Sequence, residues 1–177
     1  KLVKLTISLS AIHERMAQNV PIGRTDESTV RRMWWGALDI LQDEILGSMD
    51  LEKGIWLASP LPALYEPRLL DRLKGWIWAP EALETLNYSY AGLLPPSRVR
   101  SIDESSQSGF ERYNRFPLRD DDGHDPFLII ITPTVQVALA LQGAPGKRNL
   151  LMRSDQETFR DLLKILGLRL SDEDPKQ

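Results

Sequence analysis

The sequence predicts a mixed α/β domain: a sheet of short buried strands covered by helices and preceded by an amphipathic leading helix. Three observations point there. A wide stripe of apolar residues at helical spacing runs from Val30 to Leu46. Four short apolar runs, Ile55 to Ala58, Trp76 to Trp78, Phe127 to Ile131 and Asn149 to Met152, are bounded by turn or capping residues and suit buried strands. Helix signals stand between and after those runs, and such alternation builds a sheet with helices packed on it.

The leading segment has apolar residues at Leu2, Leu5, Leu9, Ile12 and Met16. Steps of three and four make a heptad seam. The seam is read either as a helix packing on its own domain or as the end of a coiled coil that pairs two chains, and Val3, Thr6 and Ile7 also allow a strand. Pro21 and Gly23 mark a linker, after which Thr25 or Asp26 caps a long helix reaching about Met49. Its inward positions are Val30, Met33, Trp34, Ala37, Leu38, Leu41, Ile45 and Leu46.

The strand Ile55 to Ala58 stops at Ser59-Pro60. Glu66-Pro67 opens a helix, with Pro67 in its first turn and Gly75 as its end. Trp76 to Trp78 is the second strand, and Pro80 opens a short helix through Leu86. Pro95 to Asp125 is polar and long for a loop inside a domain. It reads as an insertion or as weak hairpin strands near Val99 to Ile102 and Tyr113 to Leu118. Phe127 to Ile131 is a buried strand, followed by a helix capped at Thr132 and carrying Val135, Ala138, Leu139 and Leu141. Gly143 to Lys147 is a turn, Asn149 to Met152 the partner strand, and Ser154 with Glu157 a capping box for the last helix. That helix turns Phe159, Leu162, Leu163 and Leu166 inward and ends near Leu166.

Composition narrows the class. The 177 residues suit one domain, read as a leading helix (1–20), a single α/β domain (21–170) and a polar tail (171–177). A chain of this size buries roughly two-thirds of its unfolded surface and needs no staples. It has no cysteine, which excludes disulfides, thiolate zinc sites and cysteine nucleophiles and fits a cytoplasmic location. With 22 basic and 25 acidic residues it lacks the basic excess of a nucleic-acid binder. No apolar run reaches the roughly 20 residues of a membrane span. Lys1 at one end and a polar stretch at the other are expected to be boundaries within a longer chain, whose neighbouring domains are expected partners.

Candidate chemistry is sparse. His13 falls on the polar side of the leading seam and reads as surface. His124 lies in the run Asp120 to Asp125, whose spacing does not match an EF-hand loop and reads as a solvated turn. No nucleophile elbow and no phosphate-binding loop is present; Gly143 to Lys147 has the reversed order. No metal ligands, cofactor or catalytic residues are assigned. The candidate ligand or partner surface is Trp56, Trp76, Trp78, Arg112 and Arg115, and the candidate dimer seam is Leu2, Leu5, Leu9, Ile12 and Met16. Core packing is the plainer reading of the tryptophans.

Three pieces, the run from Phe127 to Pro133, the Val135 to Leu141 helix, and Leu150 to Asp155 opening a last helix, resemble the DICT-like sensory and regulatory domains of cyanobacterial-type signalling proteins. The resemblance implies a non-catalytic domain that relays a signal to its neighbour. The expected function is therefore a regulatory input module that binds a ligand or a protein. The alternatives are a protein-docking scaffold and a metal-assisted hydrolase or nuclease.

Overall fold

The computed structural model describes residues 7–21, 23, 25–48, 53–80, 113–144 and 146–173. Its elements are α1 (Ser10–Met16), α2 (Glu27–Ser48), β1 (Ile55–Ser59), α3 (Pro67–Arg72), β2 (Lys74–Ala79), β3 (Tyr113–Pro117), a 3₁₀ turn (Asp120–Asp122), β4 (Phe127–Ile131), β5 (Gln136–Gln142), β6 (Asn149–Arg153) and α4 (Gln156–Asp172). The strands form one mixed sheet in the order β3-β2-β1-β4-β5-β6. The β3, β2 and β1 strands run parallel, while β1 with β4, and β4, β5 and β6 among themselves, pair antiparallel. The α/β class read from the sequence is the observed one.

Successive strand residues point to opposite faces, and both faces are covered. One face holds Trp56, Ala58, Ile77, Leu128, Ile130, Val137, Leu139 and Leu141 beneath α2 and α3. The other holds Leu57, Trp78, Phe127, Ile129, Ala138, Ala140 and Leu151 beneath α1 and α4. Ala138 and Ala140 lie on the face that α1 covers, where small side chains leave room for its backbone. Each large apolar side chain fully buried in this way contributes about 1.5–3 kcal/mol before entropy is counted.

The first half follows the sequence closely. Asp26 caps α2, accepting from the Thr29 amide at 2.8 Å and the Thr29 hydroxyl at 2.9 Å. Val30, Trp34, Leu38 and Ile45 are buried, but Met33 is 46% exposed and faces away from the sheet. Gln42 joins α2 to the chain before α3. Its amide nitrogen donates to the carbonyls of Leu38 and Ala63, and its oxygen accepts from the amides of Tyr65 and Glu66, all within 2.9–3.1 Å. Gly75 does not end α3. It lies inside β2 opposite Trp56, where an added Cβ would come within 2.3 Å of the indole.

The second half departs in three places. The helix expected at Val135 to Leu141 is the strand β5, because Thr132 closes a hairpin instead of capping a helix. The Thr132 amide donates to the Val135 carbonyl at 2.7 Å, and its hydroxyl accepts from the Val135 amide at 2.9 Å. The last helix is capped by Asp155 rather than Ser154, since Asp155 accepts from the Thr158 amide at 2.9 Å and the Thr158 hydroxyl at 2.7 Å. That helix runs past Leu166 to Asp172, with Leu163 turned outward and Arg169 fully buried. In the first half, the described part of the leading segment takes the first of its two readings, a helix packing on its own domain: α1 is short, and Leu9, Ile12 and Met16 are buried in the domain's own core. Leu2, Leu5, the short helix after Pro80 and the strand near Val99 lie outside the described residues; Tyr113 to Pro117 is an edge strand.

Candidate functional site

The described residues among those expected to make a binding surface lie on both faces of the sheet. Trp56 packs under α2, edge-on to Tyr113 at 5.7 Å between ring centres. Trp76 and Trp78 share the opposite face, as the two-residue period requires. Trp78 is buried beside Phe116 and Phe127, while half-buried Trp76 carries the Lys74 ammonium 5.3 Å from its ring centre. Arg115 donates to the Pro80 carbonyl. Arg112 lies outside the described residues.

The acidic run is built differently from a solvated turn. Asp122 and Arg169 form a two-pronged ion pair, Nη1 to Oδ1 at 2.6 Å and Nη2 to Oδ2 at 2.7 Å, with both side chains fully buried. Asp122 also accepts from the amides of Leu9 at 2.9 Å and Arg119 at 2.8 Å. Burial pushes the Asp122 carboxyl up, but Arg169 and these two amides outweigh burial and hold it below the usual carboxylate range. Arg169 further donates to the Ile7 carbonyl at 2.9 Å and to Glu173 at 2.6 Å. The start of α1 is thereby pinned to the end of α4. His124, one residue past Gly123, is exposed.

His13 is buried, not on the surface. Its ring meets Phe127 edge-on at 5.8 Å, and neither ring nitrogen has a hydrogen-bond partner among the described residues. Burial holds its pKa below the ordinary imidazole value, and the charge of Asp125 opposes that only in part.

A concavity lies elsewhere. A groove of about 510 Å³ opens between the chain leaving α1, strand β6 and the first turn of α4. Arg15, Gln18, Asn19 and Val20 form one wall, Leu150 to Arg153 the floor, and Asp155, Glu157 and Thr158 the other wall. Asn19, at φ 64°, turns the chain along β6. Arg153 fixes that turn, its guanidinium donating to the Met16 carbonyl at 3.1 Å and the Gln18 carbonyl at 2.8 Å. Farther on, the Asn149 side chain donates to the Pro21 carbonyl at 2.7 Å. Arg15 pairs with Asp161 at 2.7 Å. The Thr158 amide and hydroxyl hold the Asp155 carboxyl below its usual range. Met152 is 68% exposed at the edge of the sheet, its side chain on the α2 face with that of its partner Leu139. The groove thus sets amide and guanidinium donors on one side against carboxylates on the other, over strand β6.

None of these lining residues was read from the sequence as part of a binding site, because the three segments are ordinary one by one. Among the described residues no three His, Asp or Glu side chains gather closely enough to hold a metal ion, and no helix is long and apolar enough to cross a membrane.

By its architecture the chain is a small α/β domain with two cores on one mixed sheet. It belongs to the family described as "Domain of unknown function (DUF8628)", whose model matches residues 10–177. No curated protein and no solved structure matches it.

Proposed function

We infer that this domain is a non-catalytic regulatory module of the cytoplasm that takes a polar ligand, or a segment of a partner protein, into the groove between α1, β6 and α4. The observation that carries this reading is the groove itself: about 510 Å³, open to solvent, with walls of opposite polar character. An extended segment or zwitterion presents both kinds of group to such walls. The groove's main charged groups serve as struts. Arg153 holds the end of α1, Asp155 caps α4, and Arg15 ties the two helices together. This fits recognition better than proton or acyl transfer. A module of this kind responds only if the occupant binds two conformations unequally. The movable part is α1, which contributes one wall and is pinned at its far end by Asp122 and Arg169.

Native mass spectrometry of the purified chain tests the reading. The expected result is an added mass that leaves on denaturation and is missing from Glu157→Trp, which narrows the groove from the α4 side. A bare chain mass, or an adduct that survives Glu157→Trp, would overturn the reading.

A further inference from the structure

We propose that the outer face of α2 is a self-association surface that pairs two copies of this chain through antiparallel α2 helices. Helix α2 buries Val30, Trp34, Leu38 and Ile45, so its opposite side faces solvent. That side carries Met33 and Ile40, 46% and 61% exposed, which no described residue covers. They are two turns apart at 3.6 residues per turn and lie on one stripe. Gly36 sits between them, and a Cβ built there meets nothing within 4 Å, so a second helix can approach closely at that point. Arg32 precedes the stripe and Asp43 follows it, both exposed, eleven positions or about three turns apart on the same side.

This arrangement complements itself under one operation. A two-fold axis near the middle of the stripe reverses the second helix. Arg32 then stands against Asp43 of the second copy, and Asp43 against its Arg32. Met33 meets Ile40 of the second copy across Gly36. A contact of this type uses the same patch twice and closes as a dimer. Parallel pairing would set Arg32 against Arg32 and Asp43 against Asp43. Asp39, on the outer flank, is held by the Tyr65 hydroxyl and turned toward its own domain. The surface lies on the sheet face opposite α1 and α4, so the inference stands independently of the groove.

Sedimentation equilibrium on the whole chain, across a concentration series, tests the proposal. Wild type should reach twice the 20.1 kDa chain mass as concentration rises. Gly36→Leu should weaken association at least tenfold while leaving the circular dichroism and thermal midpoint at or above wild type, because the monomer has room for that side chain. Arg32→Glu alone and Asp43→Arg alone should each give monomers, and the double variant should dimerise again. A monomer at every concentration would overturn the proposal. So would a dimer indifferent to Gly36→Leu, or one that the double charge swap fails to restore.

Discussion

Over one face of the sheet lies α2, 22 residues long, and over the other lie α4 and the seven-residue α1. The long helix buries Val30, Trp34, Leu38 and Ile45 along one stripe, and its polar ties include neutral Gln42 and Asp39 to the chain before α3 and Glu27 to Arg148. The short helix buries only Ile12, His13 and Met16 of its own residues. Two turns supply too little apolar area to fix a helix in place, since short helices are marginal without tertiary support. Polar clamps make up the difference: Asp122 and Arg169 before the first turn, Arg153 after the last. Long periodic elements are positioned by their pattern, and short ones by specific hydrogen bonds.

Removing one clamp should break that comparison most severely. Arg169→Met leaves the Asp122 carboxylate buried without its partner, which typically costs about 3–5 kcal/mol. Urea denaturation should show that loss, and Arg169→Met with Asp122→Asn should recover much of it, because the stranded charge is gone while an acceptor remains for the Leu9 and Arg119 amides. A single variant as stable as wild type would mean that apolar packing holds α1 unaided.

The matching change on the other face is Gln42→Ala. It strands the amides of Tyr65 and Glu66, and groups left unpaired in this way cost about 1–3 kcal/mol. The loss should be clearly smaller than for Arg169→Met, since no charge is left behind. Equal losses in urea would erase the distinction between a face set by pattern and a face set by clamps.

The faces should also differ in their response to acid. His13 belongs to the α1 face, where the folded chain keeps it neutral and its pKa below the ordinary value of 6.5. The unfolded chain therefore binds the proton more readily, and stability falls as pH drops below about 6.5. One proton gives a slope of at most about 1.4 kcal/mol per pH unit. Asp122 adds a second loss lower down: its folded pKa is depressed, so its contribution is complete above the ordinary carboxylate value of 3.8 and declines as pH falls below it. Thermal midpoints recorded from pH 8 to pH 5 should decline for wild type and stay flatter for His13→Leu. An unchanged decline in that variant would clear His13 of the effect.

The same division governs what the sequence revealed. Helix α2, the strands from Ile55, Trp76, Phe127 and Asn149, and the α/β plan of a sheet covered by helices were readable because each rests on local periodicity and turn chemistry. Strand β5 was not, because a central strand buried on both faces has apolar residues at nearly every position, and Val135, Ala138 and Leu139 match helical spacing as well. Asp122 was hidden because its meaning depends on Arg169, 47 positions away. His13 read as surface because the seam was centred on Leu9, Ile12 and Met16, whereas α1 buries the side that includes position 13. The groove is a product of three distant segments, so no single stretch announces it.

The smallest effect offers an internal control. Both faces begin their main helix with the same device, an aspartate that accepts from the amide and hydroxyl of a threonine three residues on: Asp26 with Thr29 on α2, Asp155 with Thr158 on α4. If the domain unfolds as one unit, loss of either cap removes the same local interaction from the same transition. Asp26→Ala and Asp155→Ala should then each lower Tm by about 2–4 °C. Ser154→Ala should leave Tm unchanged, because Ser154 does not cap α4. Unequal losses from the two aspartates, seen by tryptophan fluorescence and by circular dichroism at different temperatures, would show that the two faces melt separately. In that event the clamps on α1 stabilise only their own layer.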